Sequence, residues 1–420
     1  MNSLRKYVEL LVLGSCTFVL TQALLALVLA PGDTPEEGNG VWKAILALNY
    51  LAVSIILVAD YRQALRAAYR NGLLVVLVFL ALASCLWAYD SKLVLQRSIG
   101  VLGTTLFGIA LAVRLSLEQQ LRLMSWVFRI IAVLSLACIV LAPKYGISDW
   151  PHEGDWRGIF GHKNGLGACM ALAVLVEWHL PAETRGAKFL KITTLLLSSV
   201  LLVFSNSITS MIAVAGALVF IQIYKVLRQR LRVPMFAIVS VILLAIVSGL
   251  TLIVGGSEVI TGALGRSSNL TGRTDIWRAV MSFAMERPVL GYGFSGFWGG
   301  AAPESEVLDR RMGFHVMYSH NGYLDILLTL GAVGILLALL FLWIGIKRAF
   351  ERSELNRSIL DFWPLAFVVF FLLYNAAECT ILVQDLQWAL LLSTVISTDE
   401  ALFLETEDEE VLLIPSEEFS

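Results

Sequence analysis

Charged residues are scarce in this sequence, and their scarcity excludes most classes of soluble protein. Asp, Glu, Lys and Arg make up 15% of the 420 residues, whereas hydrophobic residues make up 58%. Soluble domains usually carry about 25% charged residues. So few polar side chains cannot coat a water-soluble particle, which argues against a soluble enzyme, a disordered chain and a nucleic-acid-binding protein.

Cysteine is also scarce, and no metal site is expected. The five cysteines form no CxxC pair, so we expect buried thiols rather than a disulfide framework or a zinc site. His152, Glu153, Asp155 and His162 lie close together in the sequence, but their spacing matches no standard zinc or calcium pattern. The sequence therefore indicates no metal and no other cofactor.

The charges that are present are unevenly distributed. Residues 399–420 contain nine acidic residues and no basic residue. The rest of the chain has 24 acidic residues against 31 Lys and Arg, a net charge of +7. We expect the acidic tail to be a solvated end without chemistry of its own.

Long apolar runs are what the sequence has in abundance. A helix that crosses a bilayer needs about 20 mainly apolar residues. We predict twelve such spans, at 8–30, 41–59, 73–89, 99–115, 123–142, 164–180, 189–205, 208–227, 234–254, 321–346, 361–377 and 380–398. The first run is long and lacks a clean cleavage site, so we interpret it as an uncleaved helix rather than a signal peptide. The predicted fold class is an all-α polytopic membrane protein.

The positions of Lys and Arg predict how these spans are oriented. If the N-terminus is cytoplasmic, the inside loops carry 18 Lys and Arg. The short outside loops then carry only Lys92, Arg97, Lys144, Arg157 and Lys163. Because cytoplasmic loops are enriched in basic residues, this asymmetry predicts that both termini are cytoplasmic.

These spans divide the chain into four predicted parts. They are a bundle of nine spans at 1–254, a large periplasmic loop at 255–320, three further spans at 321–398 and the cytoplasmic tail at 399–420. The loop is longer than an ordinary connection, and its eight aromatic residues argue against disorder. We expect it to contain short amphipathic helices.

Residues 274–287 of the large loop have the pattern of an amphipathic helix. Thr274 is the predicted N-cap, and Pro288 would end the helix. Its apolar face either lies in the membrane interface or packs on the top of the bundle, and both interpretations stay open. In the Gly-rich segment 289–300, the aromatic side chains either stack on sugar rings or belong to the aromatic belt at the membrane interface.

Four side chains suggest chemistry at one membrane face. Arg157 precedes the sixth span, Arg266 and Arg273 lie in the large loop, and His320 stands where the tenth span begins. A guanidinium suits a diphosphate because it gives paired, charge-assisted hydrogen bonds and keeps its proton. An imidazole titrates near neutral pH and can accept a proton. Above a hydrophobic bundle, this combination would hold a lipid diphosphate and deprotonate an attacking hydroxyl.

Four pieces of the sequence carry a resemblance to a known family. They are RGIFGHKNGLG at 157–167, TGRTDIW at 271–277, ERPVLGYGFSGFW at 286–298 and SHNGYLDILLTLGAVGILL at 319–337. In order and spacing they resemble the O-antigen ligase and repeat-unit polymerase family of bacterial envelope enzymes, most closely its exopolysaccharide-polymerase-like branch. The resemblance implies a GT-C-like helical architecture with one large periplasmic loop.

The resemblance also implies an activity: metal-independent, inverting glycosyl transfer at the periplasmic face of the bacterial inner membrane. The donor would be a glycan on undecaprenyl diphosphate, and the acceptor a sugar hydroxyl of another repeat unit or of lipid A core. By position, His320 resembles the catalytic base, and Arg157 and Arg273 resemble the residues that hold the diphosphate. Polysaccharide export and chain-length proteins are expected partners.

Four further residues are expected to support this site. His162 and Lys163 resemble the polymerase-like branch of the family, and Asn321 and Asp325 follow the expected base. Asp325 lies about one turn into the tenth span. Acidic residues within a span are usually functional, and this one can pair with an arginine of the large loop.

Two other classes of protein stay open. A flippase or transporter for lipid-linked sugars would need charged or broken helices near the midplane, and Arg129 is an exception among spans that are mostly uncharged. A structural scaffold for an export complex would tolerate replacement of the Arg and His residues. Within the enzyme class, polymerase, lipid A core ligase and protein O-glycosylation all stay open, because the sequence names neither sugar nor acceptor.

Overall fold

A computed structural model describes most of the chain. The described residues are 2–23, 25, 40–149, 152–230, 271–355 and 357–399. The predicted ninth span at 234–254, Arg266 and residues 400–420 of the predicted tail lie outside them.

The described chain folds into helices joined by loops. In order they are α1 (Asn2–Leu20), α2 (Gly40–Ala59), α3 (Tyr61–Arg70), α4 (Gly72–Ala83), α5 (Ser91–Arg114), α6 (Leu117–Leu141), α7 (Pro143–Gly146), α8 (Lys163–His179), α9 (Arg185–Phe204), α10 (Ile208–Arg230), α11 (Thr271–Ala284), α12 (Pro303–Met312), α13 (Gly322–Leu355), α14 (Trp363–Asn375) and α15 (Leu386–Ser397). Over these same residues the only β-type pairing is an isolated bridge between Ile147 and Trp156. The predicted all-α class is confirmed.

Several of these helices are suited to crossing a membrane. Among the described residues, α2, α5, α6, α9, α10 and α13 are each long and apolar enough to do so. Helices α3 and α4 form a pair bent by 90°, which gives a seventh span if the pair counts as one. Residues 359–375 and 386–397 form shorter apolar helices. The total of twelve spans stays a prediction.

The two short apolar helices are the interior of the bundle. All 13 residues of α14 are buried, and so are residues 386–396 of α15. Helix α14 packs against α10 and α13, whereas α15 packs against α5. A helix that is apolar on all sides needs such neighbours. At 1.5 Å per residue, α14 and α15 are about 18–20 Å long, shorter than the roughly 30 Å of a bilayer core.

The connection between these helices, residues 376–385, is held in a non-helical form by Asn375. Its Oδ1 accepts hydrogen bonds from the amides of Thr380 (2.8 Å) and Ile381 (3.2 Å), and its Nδ2 donates to Thr380 Oγ1 (2.7 Å). The side chain thus replaces helical hydrogen bonds. The last helix therefore begins at Leu386 and not at 380. Within a membrane protein, non-helical backbone is tolerated where it lines a cavity.

Helix α13 is broken near its start by the backbone of the large loop. Gly331 has φ +65° and ψ −163°, a conformation that glycine adopts readily. The amide of Ala332 donates to Pro288 O (2.7 Å), and that of Val333 donates to Val289 O (3.2 Å). A Cβ at position 331 would lie 2.3 Å from the carbonyl carbon of Val289. The loop therefore docks into the helix at a residue that has no side chain.

The described part of the large loop has a hydrophobic core of its own. Helix α11 begins at Thr271, so Thr274 lies within the helix and is not its N-cap, and the helix ends at Ala284. Its apolar face is buried against α12, α13 and the segment 289–300, which supports packing rather than immersion in the membrane interface. Tyr292 and Phe297 are fully buried. They form this core instead of an aromatic belt.

Ion pairs join three helices at the end of the bundle where α3 and α15 end. Asp399, the first residue of the predicted acidic tail, is 6% exposed. Its carboxylate accepts two hydrogen bonds from Arg70 (both 3.0 Å) and lies 3.0 Å from Arg348 Nη2. Asp399 therefore anchors the end of α15 to α3 and α13. Of the nine tail acids, it is the one within the described residues.

Candidate active site

A cavity of about 1400 Å³ opens at one end of the bundle. It is walled by the C-terminal end of α1, the N-terminal ends of α2, α5, α8 and α13, the segments 157–162 and 294–298, and the connection 376–385. We call this the site end. The helices alternate in direction, so chain segments that are distant in sequence meet here.

Glu378 is the residue that Arg273, Asn164 and His320 all contact. Its Oε1 accepts a hydrogen bond from Arg273 Nη2 (3.1 Å) and another from Asn164 Nδ2 (3.0 Å). Its Oε2 lies 3.6 Å from His320 Nδ1, which is an ion-pair distance but too long for a hydrogen bond. One carboxylate thus joins the start of α8, helix α11, the start of α13 and the connection 376–385.

The charge on Glu378 is stabilised by its neighbours. The side chain is only 7% exposed, and burial alone would raise its pKa. The His320 ring and the Arg273 guanidinium outweigh this effect and bring the pKa of Glu378 below its usual value. Glu378 is therefore a carboxylate at neutral pH, held between two nitrogen-bearing groups.

His320 is positioned by the residues on both sides of it. Its backbone has φ +53°, a strained value for a residue other than glycine. Ser319 Oγ accepts from the Asn321 amide (3.2 Å), and Trp277 Nε1 donates to Ser319 O (2.8 Å). Nδ1 of His320 is buried while the side chain as a whole is 29% exposed. The open edge of the ring is therefore the one that carries Nε2.

Asn321 and Asp325 fix the start of α13 behind the histidine. Asn321 Oδ1 accepts from the amides of Tyr323 (3.1 Å) and Leu324 (3.2 Å), as an N-cap does. Its Nδ2 donates to Ala376 O (3.3 Å), which ties α13 to the end of α14. Asp325 Oδ1 accepts from the Ser319 amide (3.3 Å), and Asp325 also lines the cavity.

Arg273 is partly occupied by the protein and partly open. Besides its contact with Glu378, its Nη1 donates to Ala377 O (2.9 Å), and the side chain is 16% exposed. A guanidinium has five N–H donors, so the two bonds to the protein leave three. Arg273 and His320 do not line the cavity themselves, whereas Glu378 and Tyr318 do. They lie directly behind its wall.

Arg157 lies on the cavity wall and is held by backbone oxygens. Its Nε donates to Tyr145 O (2.9 Å) and its Nη2 to Lys144 O (3.1 Å). Gly158, with φ +58°, follows it; a Cβ there would lie 2.5 Å from Ser135 Cβ. The turn thus presses closely against α6. Like Arg273, Arg157 is oriented by backbone oxygens of the protein.

His162 and Lys163 shape the loop before α8. His162 is the N-cap, since its Nδ1 accepts from the Asn164 amide (3.2 Å). Burial, together with the neighbouring His152, lowers the pKa of His162 to about 4, so it is neutral. Lys163 donates to Asp155 Oδ2 (2.7 Å) and is therefore a tether within the loop. Through Asn164, this loop reaches Glu378.

Glu378 and Asn164 were missed from the sequence alone. Glu378 stands in a short polar stretch between two apolar runs, 58 residues after His320, and no motif connects the two. An acid at the edge of a predicted span was the available signal. Arg266 lies outside the described residues. Within those residues, no group of three or more His, Cys, Asp or Glu side chains is arranged to hold a metal ion.

Comparison with known proteins agrees with the motifs of the sequence. A family model described as O-antigen ligase matches residues 193–339. The exopolysaccharide production protein ExoQ of Rhizobium meliloti (strain 1021) is 30% identical over 208 residues, which cover 44% of this chain and 45% of that protein. Residues 193–339 are therefore similar to the O-antigen ligase family. The chain spans less than half the length of that curated relative.

The segment that the O-antigen ligase model matches, residues 193–339, contains part of the candidate site. Arg273 and His320 lie within residues 193–339, whereas Arg157, Asn164 and Glu378 lie outside. The carboxylate that joins the two matched residues therefore comes from another part of the chain. The site is complete only when the segments on both sides of the matched region fold against it.

Proposed function

We propose that the protein is a membrane glycosyltransferase that moves a glycan from a lipid diphosphate to a sugar hydroxyl in exopolysaccharide or O-antigen assembly. The observation that carries this proposal is the convergence of Arg273 and His320 on Glu378 behind the wall of a large cavity. Cations, an imidazole and a carboxylate meet beside apolar helix ends. This set suits a substrate with an anionic diphosphate and a hydrocarbon tail.

The donor is held through its diphosphate. Arg157 and Arg273 both keep N–H groups that their protein contacts do not use, and both are fixed in orientation. As the bond between the anomeric carbon and the phosphate oxygen breaks, the electron pair passes to the diphosphate. The two guanidinium groups stabilise the charge that develops there. An undecaprenyl chain then lies along the apolar helices.

The acceptor is activated by His320. A sugar hydroxyl attacks the anomeric carbon, forms the new C–O bond and gives its proton to Nε2 of His320. Glu378, near Nδ1, orients the ring and stabilises the imidazolium that forms, as the carboxylate does beside the histidine of a hydrolase triad. Attack opposite the leaving diphosphate inverts the anomeric centre. The step needs no metal, because the arginines neutralise the leaving group.

The wider setting belongs to the same proposal. The basic residues of the predicted inside loops support a site end at the periplasmic face of the bacterial inner membrane, with both termini cytoplasmic. The ExoQ relative is named for exopolysaccharide production, and this favours a growing exopolysaccharide over lipid A core as acceptor. Polysaccharide export and chain-length proteins would then be its partners. The large loop 255–320 would cover the periplasmic site.

The test is replacement of His320 with Ala in purified protein reconstituted with lipid-linked repeat units. Loss of a general base costs about 10²–10⁴ in rate, while binding of the lipid diphosphate persists. His315→Ala is the matched control: it is a loop histidine that is half-exposed and paired with Asp309. Normal product formation by His320→Ala would refute the base assignment. Carrier-lipid flipping without an acceptor would favour a flippase.

A further inference from the structure

The cavity contains a second set of polar groups on the wall formed by α2, α5 and the start of α15. Gln384 Nε2 donates to Tyr50 Oη (2.9 Å), which in turn lies 2.8 Å from Thr104 Oγ1. Gly100 makes room for this amide, since a Cβ there would lie 2.8 Å from Gln384 Oε1. Tyr50, Gln384, Asp385 and Gln387 all line the cavity. None of them takes part in the chemistry proposed above.

Asp385 differs from Glu378 in having no cationic partner. Its Oδ1 accepts from the Trp388 amide (2.9 Å) as the N-cap of α15. Over the part of the chain that the structure describes, its hydrogen bonds go to backbone amides of its own helix, and no Lys, Arg or His pairs with it.

Two further polar atoms at this wall are buried without a partner. Gln387 is 6% exposed and Trp298 is 2% exposed, and both line the cavity. Gln387 Oε1 and Trp298 Nε1 make no hydrogen bond to any residue in the described ranges. Unsatisfied buried polar atoms are few in native proteins, and each calls for an explanation. A polar ligand in the cavity supplies one.

The hydrogen-bonding groups of Gln384, Asp385 and Gln387 suit a ligand rich in hydroxyl groups. Lys43 of α2 and Arg97 of α5 also line the cavity, and Arg97 Nη1 donates to Ser295 O and Trp298 O (3.4 Å). Among the described residues neither cation pairs with Asp385, whose carboxyl group disfavours a phosphate at its own position. Carboxyl and amide groups both donate and accept, which matches sugar hydroxyls. The indole of Trp298 offers an apolar face with a polar N–H at its edge. The two parts of the cavity are therefore suited to the two halves of a glycosyl-transfer reaction.

We propose that Gln384, Asp385, Gln387 and Trp298 form a subsite that binds the uncharged acceptor sugar. This inference rests on the proposed function, because it assigns the second substrate of the same site. The connection 376–385 then contributes to both substrates, with Glu378 serving the donor and base and Asp385 serving the acceptor.

The test separates the two ligands with two probes in detergent-solubilised full-length protein. One probe is the repeat-unit oligosaccharide released by mild acid from lipid-linked glycan, which carries neither lipid nor phosphate. The other is undecaprenyl diphosphate. We expect Asp385→Ser and Gln387→Met each to weaken oligosaccharide binding at least tenfold and to change undecaprenyl diphosphate binding less than twofold. Arg273→Ala should show the opposite pattern.

The variants are chosen so that the helix is preserved. Serine is as good an N-cap as aspartate, so Asp385→Ser removes the acid and keeps the cap. Asp90→Ser is the matched control, since Asp90 caps α5 through the Leu93 amide (2.9 Å) and does not line the cavity. It should change neither affinity.

Each outcome separates this subsite from the proposed function. Unchanged oligosaccharide affinity in Asp385→Ser and Gln387→Met overturns the subsite. Equal weakening of both probes also overturns it, because the residues would then support the whole cavity. Absence of oligosaccharide binding to the wild type at millimolar concentration counts against it as well. Absence of undecaprenyl diphosphate binding to the wild type would instead refute the proposed function.

Discussion

Two glutamates are buried among the helices, each facing an arginine, and their surroundings differ. Glu177 of α8 is 0% exposed, and Arg129 Nη2 donates to both of its oxygens (2.9 and 3.1 Å). Ser125 also donates to Glu177, and Arg129 Nε donates to Thr194 Oγ1 (3.1 Å). Arg129, the charged exception among the predicted spans, is thus paired with a carboxylate inside the bundle.

Glu378 is also buried and also paired, but it borders a cavity. One of its oxygens receives Arg273 and Asn164, and the other faces His320 at 3.6 Å. Glu378 lines the cavity, whereas Glu177 does not. The difference teaches that a buried ion pair with no cavity beside it is structural. A buried ion pair that borders space a ligand can fill is a candidate for function.

The largest expected effect separates the two glutamates by activity. Glu378→Gln should lower specific activity by roughly a thousandfold, because neutralising the carboxylate beside a catalytic histidine has effects of this order or larger. The backbone bond from the Gly322 amide to Glu378 O (3.0 Å) is unaffected, but the change also removes the counter-charge of Arg273, so stability should fall as well. The measurement is turnover per folded molecule. Glu378→Asp should restore part of the turnover.

The second largest effect is expected at Glu177, where replacement should lower stability and leave turnover unchanged. Glu177→Gln leaves Arg129 without its counter-charge inside the bundle, and breaking a buried pair costs about 3–5 kcal/mol. We expect a clear fall in thermal stability, with unchanged turnover per molecule that remains folded. Thermal unfolding in detergent and an activity assay on the same preparation measure both quantities. Loss of turnover at full stability would contradict the structural assignment.

A smaller effect tests the geometry of the open arginine. Arg273→Lys keeps the charge but loses the planar fork. A hydrogen bond to a charged group contributes about 1.5–3 kcal/mol, so turnover should fall roughly tenfold to a hundredfold. Arg278→Lys on the same helix is the control, because Arg278 is 80% exposed and pairs only with Asp275 among the described residues. Equal activity in the two variants would argue against diphosphate binding by Arg273.

The smallest effect is a dependence of stability on pH. Folded His162 has a pKa of about 4, below its usual 6.5, so the unfolded chain takes up the proton first as the pH falls. The contribution of His162 to the free energy of unfolding is therefore fully present above pH 6.5 and is lost as the pH falls toward 4. His162→Asn keeps a cap acceptor but does not titrate. Its melting temperature should fall less between pH 7 and pH 4.5; parallel curves would refute this contribution.

Much of the fold follows from residue patterns, but the meeting of distant residues does not. Apolar runs predict helices because each run must bury its backbone and side chains, and the helices follow those runs. The motifs also pointed to Arg157, Arg273 and His320. Glu378 has no local pattern of its own, because its importance comes from the packing of α14 against α13. Sequence distance hides such a contact.

Boundaries were predicted least well where side chains replace backbone bonds. Asn375 makes the hydrogen bonds that would otherwise continue a helix, so the last span begins later than its hydropathy suggests. Gly331 breaks α13 because the loop backbone occupies the place of a side chain. The aromatics of 289–300 pack into the loop's own core, since α11 and α12 supply apolar partners that composition alone does not reveal.

The size of the cavity has a consequence for the polymer that would grow in it. Its volume of about 1400 Å³ exceeds the roughly 300–1000 Å³ of ordinary ligand pockets. If the cavity binds a glycan only near the bond that forms, binding does not depend on how many sugars the rest of the glycan contains. Such an enzyme would not set the length of the polysaccharide, so another protein would have to control that length.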